Sequence, residues 1–370
     1  MKDNRFCCCW DLEGPITILD FAAELGKKLQ EKPTLDLHDY NMAEFFKMIS
    51  LYDDYIVDVP GVKSQLKIPD YQPGDTLRIM APLYTACYTD EELIELAKSN
   101  LGLLPGCRDL MKILKKDWEI FVISTSYTHF AHNVTAALGI PEDHVYCTEL
   151  NIEELKKDLQ NIEGDVDTLI KKIFPKYMDN NHDLTSVLDD LNKFFWRGKE
   201  TDYIRIMNKV KVRGGKRKEE AVEEISARTG VLISDMIGLG DSITDINMLQ
   251  RIKEENGIAI SFNGNRFSLE RANVAITTPN CLGVLPIFQK KENIHEFLTE
   301  WEKNYNVFQD NPSNIKNSLI SEENRDLFIK YNFVPKIAYL PNKSEVEMGD
   351  IISEQEKMRK IVRGWVGNLG

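Results

Sequence analysis

Two groups of carboxylates lie far apart in the chain, and each stands where an apolar run stops. Near the N-terminus, Phe6-Cys7-Cys8-Cys9-Trp10 gives way to Asp11-Leu12-Glu13 and then Gly14. Far downstream, Met236-Ile237-Gly238-Leu239-Gly240 runs into Asp241, with Asp245 four residues on. An apolar segment that ends at acids and a glycine reads as a buried strand delivering carboxylates to the lip of a sheet. That lip is where open α/β sheets keep their chemistry. Acids at the ends of two separate strands point to one shared, metal-dependent site. Asp241 and Asp245 are spaced to share one face at a helix entrance. Taken alone, Asp11 and Glu13 read as a solvated strand end, and Asp241 as a helix cap that could still bind metal.

The elements that must position these acids come from distant pieces of sequence. After the first strand, Leu103-Leu104-Pro105-Gly106 opens an amphipathic helix, Cys107 to Lys115. A strand from Trp118 to Ile123 follows and ends at Ser124-Thr125-Ser126, then a helix from Thr128 to Leu138 and a short strand around Tyr146. The last piece begins near Lys216 with a helix to Arg228. It continues through the strand ending at Leu239, a helix from Ile243 to Arg251, the strand Ile258-Ala259-Ile260, and a helix-strand pair over Ser268 to Ile276. Strand-helix-strand alternation predicts a parallel sheet with helical crossovers, an α/β fold. Among Lys216, Arg217 and Lys218, the last is favoured as an inward-facing base. Ala221, Val222 and Ile225 follow it at three, four and seven residues, which puts it at the start of an amphipathic helix.

Two long segments interrupt this core. Residues 19–100 are largely helical in period, and residues 150–213 are charged and helical. Insertions of that size are lids, binding elements or added contact surface. Residues 285–370 read as a polar helical extension punctuated by Pro312, Pro335 and Pro341. The predicted division is therefore a core of 1–18, 101–149 and 214–284, a helical cap of 19–100, a second helical insertion of 150–213, and the extension.

Composition limits the function classes. The 370 residues exceed one ordinary core. The net charge of −13 argues against a general nucleic-acid binder. No apolar stretch approaches the roughly 20 residues of a membrane span, and the N-terminal run is broken by acids, unlike a signal peptide. The seven cysteines form no ligand or disulfide framework. Cys7, Cys8 and Cys9 should point alternately to opposite faces of a strand as apolar filler. The expectation is a cytoplasmic protein. Gly238-Leu239-Gly240 lacks the third glycine of a dinucleotide fingerprint, no Walker loop is present, and Asn263-Gly264-Asn265 reads as a turn.

Four motifs in order resemble those of the haloacid dehalogenase superfamily of phosphohydrolases, over about half the chain. They are Asp11-Leu12-Glu13-Gly14 after a strand, Ser124 after a strand, Lys218 opening a helix, and Gly240-Asp241 with Asp245. The Pro105-Gly106 helix start is a further likeness. The resemblance implies a Rossmann-like parallel sheet with an inserted, mostly helical cap, placed as in the phosphoserine-phosphatase-like branch. It implies a cytoplasmic, Mg²⁺-dependent phosphatase acting on a small phosphorylated metabolite. Asp11 would be the nucleophile, and Glu13 the acid and then the base. Ser124, the N–H of Thr125 and Lys218 would hold the phosphoryl oxygens. The metal would take Asp11, Asp241, the backbone carbonyl of Glu13, and Asp245 directly or through a water. Glu13, one methylene longer than the commoner Asp, and Pro15, which lacks an N–H where Thr or Val is usual, depart from the family pattern. Asp20 and Arg78 are candidates for substrate contact from the cap. A phosphotransferase is a close variant. The rival reading is a non-catalytic binding or regulatory protein on the same scaffold. The chain also resembles an archaeal group labelled as an energy-converting hydrogenase subunit, a label that no chemistry in these residues supports.

Overall fold

The computed structural model describes residues 6–290 and 294–368. Seven strands form one sheet. They are β1 (Phe6–Trp10), β2 (Trp118–Tyr127), β3 (Val145–Thr148), β4 (Ile237–Gly240), β5 (Ile258–Phe262), β6 (Val274–Thr277) and β7 (Lys336–Tyr339), in the order β3-β2-β1-β4-β5-β6-β7. All neighbours are parallel except β6 and β7. The chain thus winds outward on both sides of β1, and the crevice at this reversal of strand order is where a doubly wound sheet opens a ligand site.

β1 is buried from Cys7 to Trp10, as a central strand covered on both faces must be. Its period of two sorts the cysteines as expected. Cys7 and Cys9 pack with Ala221, Val222, Ile225 and Met248 on one face, while Cys8 and Trp10 join the larger core on the other. None of the seven cysteines is in a disulfide.

Three local details differ from the sequence reading. β2 runs on through Ser124, Thr125 and Ser126 to Tyr127 instead of ending at Ile123. The segment after Asp241 begins with a 3₁₀ turn, Ile243–Asp245, before the α-helix Ile246–Glu254. The C-terminal extension is not wholly helical, because β7 pairs antiparallel with β6 and closes that edge of the sheet. A four-residue strand at an edge carries too little alternation to stand out in sequence.

The two insertions, read as separate elements in the sequence, pack into one helical body above the strand ends. Tyr52, on the helix Met42–Asp58, donates its hydroxyl to Asn192 Oδ1 (2.7 Å) and accepts from Trp196 Nε1 (2.9 Å). Tyr203 donates to the Ile79 carbonyl (2.7 Å) on the helix Thr76–Cys87. The Arg78 guanidinium lies over the rings of Tyr71 and Trp196, 5.3 and 5.2 Å from their centroids.

Candidate active site

The acids converge because β1 and β4 are neighbours. The Asp11 N–H donates to the Leu239 carbonyl (2.9 Å), so the pairing extends one residue past the β1 strand and fixes where Asp11 emerges. Asp241 follows Gly240, the last residue of β4. Oxygens of Asp11, Asp241 and Asp245 all lie within 4.8 Å of one another. Gly14 (φ +116°) turns the chain back beside them, and a Cβ there would stand 2.2 Å from Asp241 Oδ2. Only glycine permits that approach.

Lys218 lies beneath the acids, fully buried. Its Nζ reaches Asp11 Oδ1 at 2.8 Å and Asp245 Oδ1 at 2.7 Å. Burial alone would lower its pKa, but the two carboxylates more than offset this and hold it above the usual lysine value. Lys216 and Arg217 point elsewhere. Arg217 pairs with Asp75 (3.0 Å) and donates to the Val212 carbonyl (2.7 Å), and Lys216 is exposed. Asp245 Oδ2 accepts from the N–H groups of Asp241 (2.9 Å) and Ser242 (3.1 Å). The cap of this turn is thus the reciprocal pair Ser242 and Asp245, and Asp241 is left to face the site.

Asp11 Oδ1 also accepts from the Leu12 N–H (2.8 Å). Burial, with Asp245 next in weight, pushes its pKa up to about 7. Glu13 swings toward the first helix of the cap, where Oε1 accepts from the Phe21 N–H (3.0 Å). Burial first, and then Asp20, push its pKa up to about 8. Glu13 therefore holds its proton at neutral pH.

A cavity of about 80 Å³ opens above these groups. Asp11, Glu13, Thr125 and Asp241 form its floor, with Asp20, Ser50 and Asp54 on the cap side. Ser124 and Lys218 do not line it. Ser124 is buried below, where its Oγ accepts from the Ser126 N–H (3.0 Å). Thr125 lines the wall, and its buried hydroxyl has no partner. Asp20 lines the cavity while capping the helix Phe21–Lys28 through the Ala23 N–H (2.8 Å). Arg78 does not line it; its guanidinium lies beside Asp75 (3.3 Å) and over the two aromatic rings. Asn263 to Asn265 form a turn, as read, and the Asn265 N–H donates to the Asp241 carbonyl (3.0 Å).

The residues missed from sequence are Gln355, Arg359 and Arg363 on the C-terminal helix Glu345–Arg363. Gln355 Oε1 accepts from the Gly264 N–H (2.6 Å), and its Nε2 donates to the Ser261 carbonyl (3.2 Å). Arg359 Nη1 donates to the Asp241 carbonyl (3.0 Å) and to Asp241 Oδ2. Arg363 Nη1 reaches the same Oδ2 at 2.9 Å. The three residues follow one another at intervals of four, a single stripe of the helix. That spacing was the only available signal.

The donor set fits a hard divalent cation such as Mg²⁺. Every candidate ligand is an oxygen, and three buried carboxylates meet. Asp11 Oδ2 and Asp241 Oδ1 accept no hydrogen bond among the described residues, so both remain open to a cation. Both oxygens of Asp245 are committed, which suits it to orienting the site rather than to direct ligation.

Residues 106–288 match the family of haloacid dehalogenase-like hydrolases. That range contains Ser124, Lys218, Asp241 and Asp245. Asp11 and Glu13 lie upstream of it, across the first insertion. The fold is similar to that of gene product AF1437 from Archaeoglobus fulgidus, with 23% identity and a TM-score of 0.71 over 99% of each chain. A phosphoserine phosphatase in its apo form matches over 76% of this chain and 98% of its own, with 14% identity and a TM-score of 0.45. A search of curated proteins finds no match. The sheet, the order of its motifs and the matched range together place the core of this chain in the haloacid dehalogenase superfamily of hydrolases.

Proposed function

We propose that the chain is a phosphatase that hydrolyses a small phosphorylated metabolite through an aspartyl-phosphate on Asp11. One observation carries this reading. Asp11 is anchored by one oxygen to Lys218 and the Leu12 N–H, while its other oxygen accepts no hydrogen bond among the described residues beside a small cavity. A carboxylate held in that way is oriented to attack and cannot rotate away.

In this mechanism Asp11 Oδ2 attacks phosphorus, and the bond to the leaving oxygen breaks as Glu13 gives that oxygen its proton. The resulting Glu13 carboxylate then takes a proton from the water that attacks the acyl phosphate, which frees Asp11 and inorganic phosphate. The Thr125 hydroxyl, which has no partner in the protein, donates to a phosphoryl oxygen, and Ser124 braces the strand end beneath by accepting from the Ser126 N–H. Lys218 offsets the charge of Asp11 and Asp245 throughout. A Mg²⁺ held by Asp11, Asp241 and the Glu13 carbonyl would neutralise charge on the phosphoryl oxygens. Residues 19–100 act as the cap, and residues 150–213 buttress it. A cavity of about 80 Å³ is far below the roughly 300 Å³ of a pocket for a drug-sized ligand. It suits the phosphoryl group, and the remainder of the metabolite enters as the cap shifts. Passing the phosphoryl group to an alcohol instead of water uses the same residues.

The test is a panel of phosphorylated metabolites with Mg²⁺, run on the native chain and on Asp11→Asn. Turnover is expected to fall by on the order of 10⁴-fold or more. Turnover that persists in Asp11→Asn, or none across a broad panel, overturns the reading.

A further inference from the structure

The C-terminal helix reaches the cavity with two arginines that the chemistry above does not use. We propose that Arg363 is a phosphoryl-contacting residue supplied by this helix, and that Arg359 beside it is a positioning residue that holds Asp241. The proposal rests on the phosphohydrolase reading and deepens it.

The docking is built, not incidental. A capping box, Ser344 with Glu347, starts the helix, and Gln355 ties its middle to the loop after β5. Arg359 is clamped on the protein itself, with Nε donating to the Gly367 carbonyl (3.2 Å) and Nη1 to the Asp241 carbonyl. Its geometry fixes the Asp241 side chain. Arg363 is different. Its side chain is 6% exposed, and Nη1 takes Asp241 Oδ2. Its Nε lies 3.5 Å from the Ile18 carbonyl, and Nη2 makes no hydrogen bond with any described residue. The residue lines the same cavity as Asp11, Glu13 and Thr125.

A buried guanidinium with an open edge carries a desolvation cost that a protein acceptor would normally remove. Here Nη2 has no hydrogen-bond acceptor among the described residues, in a side chain that lines the cavity. The planar fork matches an oxyanion that presents two oxygens, which an ammonium group does not. The cavity is small, and Arg363 lines it together with Asp11, Thr125 and Asp241, so a phosphoryl group held at Asp11 shares that space with the guanidinium. The acids around it (Asp11, Glu13, Asp20, Asp241) also make a free second anion on the substrate unwelcome. The guanidinium therefore serves the phosphoryl group itself, and not a distant carboxylate of the metabolite.

The experiment measures inorganic phosphate binding by calorimetry, with and without Mg²⁺, on the full chain and on Arg363→Ala, Arg363→Lys and Arg359→Lys. Thermal unfolding checks that each variant folds. Arg363→Ala is expected to weaken phosphate binding by about tenfold or more, and Arg363→Lys to restore part of it. Arg359→Lys should lower kcat with little change in phosphate affinity. Unchanged phosphate affinity in Arg363→Ala overturns the proposal. So does tighter phosphate binding with faster turnover, which would make the helix a plug. If Arg363→Ala does not fold, the comparison of Arg363→Lys with the native chain decides, and equal affinities count against a bidentate contact. Loss of turnover in Asp11→Asn together with unchanged phosphate affinity in Arg363→Ala rejects this proposal alone. Turnover that survives Asp11→Asn rejects the parent reading, whatever Arg363 does.

Discussion

The floor and the roof of the cavity are held by different kinds of bond. On the floor, Asp11, Glu13 and Asp245 are tied to backbone N–H groups, and Asp11 and Asp245 also to Lys218 beneath them. Asp11 rests on the Leu12 N–H and Lys218, and Asp245 on two successive N–H groups. The roof meets the core through side chains: Phe21 stacks on Phe130 (4.9 Å between centroids), Tyr127 donates its hydroxyl to the Leu77 carbonyl, and His129 pairs with Asp90 (2.8 Å). Asp75 meets Arg217, the two insertions meet through Tyr52, Asn192 and Trp196, and the C-terminal helix arrives through Arg359 and Arg363. A floor locked by backbone keeps reacting groups in register, while a roof held by side-chain packing and no strand pairing can shift without unmaking the sheet. The contrast predicts that floor substitutions strike the chemical step and roof substitutions strike binding and stability.

Beyond Asp11→Asn, the largest effect expected on the floor is at Glu13. Glu13→Gln should lower kcat by roughly 10²–10⁴-fold on esters with poor leaving groups, and much less on an aryl phosphate, whose leaving group needs no proton. With its pKa raised to about 8, Glu13 is protonated at neutral pH, so native kcat on alkyl phosphates should decline as pH rises through about 8. The glutamine variant should lack that limb. Stability moves in the same window. The unfolded chain ionises this group near about 4.3, so between there and about 8 the folded state binds more protons and loses stability as pH rises. Thermal unfolding of the metal-free protein against pH should show a shallower decline in Glu13→Gln. Equal slopes would place Glu13 in a more solvated setting.

On the roof, Asp75 ties the cap to the core through Arg217. It is fully buried, with Arg217 at 3.0 Å, Arg78 at 3.3 Å and the Gln72 N–H donating at 3.2 Å. Asp75→Asn breaks a buried pair and leaves Arg217 under-compensated, at a cost of about 3 kcal/mol by chemical denaturation. Among surviving folded molecules KM should rise more than kcat falls. A fall in kcat alone, at unchanged KM, would mean that cap and floor behave as one rigid piece.

The same division governs what could be read from sequence. The floor is written locally: an apolar run that stops at Asp11-Leu12-Glu13-Gly14, another that stops at Asp241, and apolar positions at three, four and seven residues after Lys218. Each pattern needs only a few consecutive residues. The roof depends on long-range packing. Gln355, Arg359 and Arg363 form a polar stripe that a helix exposed to water would carry equally well, and nothing nearby in sequence shows that Asp241 lies opposite. Arg78 looked free for substrate because its partners, Asp75 and Trp196, become neighbours only when the insertions fold together. At the end of β2, the continuation through Tyr127 turned Thr125 to the cavity and left Ser124 beneath, a one-residue choice set by the period of the strand.

The smallest effect expected is at Tyr52, and it isolates the joint between the two insertions. Its hydroxyl bridges Asn192 Oδ1 and Trp196 Nε1 in a fully buried setting. Tyr52→Phe keeps the ring, which stacks on Phe195 (5.9 Å between centroids), and removes only the oxygen. Trp196 Nε1 then loses its acceptor, and the cost should be about 1–2 kcal/mol. Because residues 19–100 and 150–213 pack as one body, unfolding followed by tryptophan fluorescence should remain a single transition displaced to lower denaturant, with kcat unchanged. A separate early transition confined to one insertion would show that the joint, and not a shared core, holds the two together.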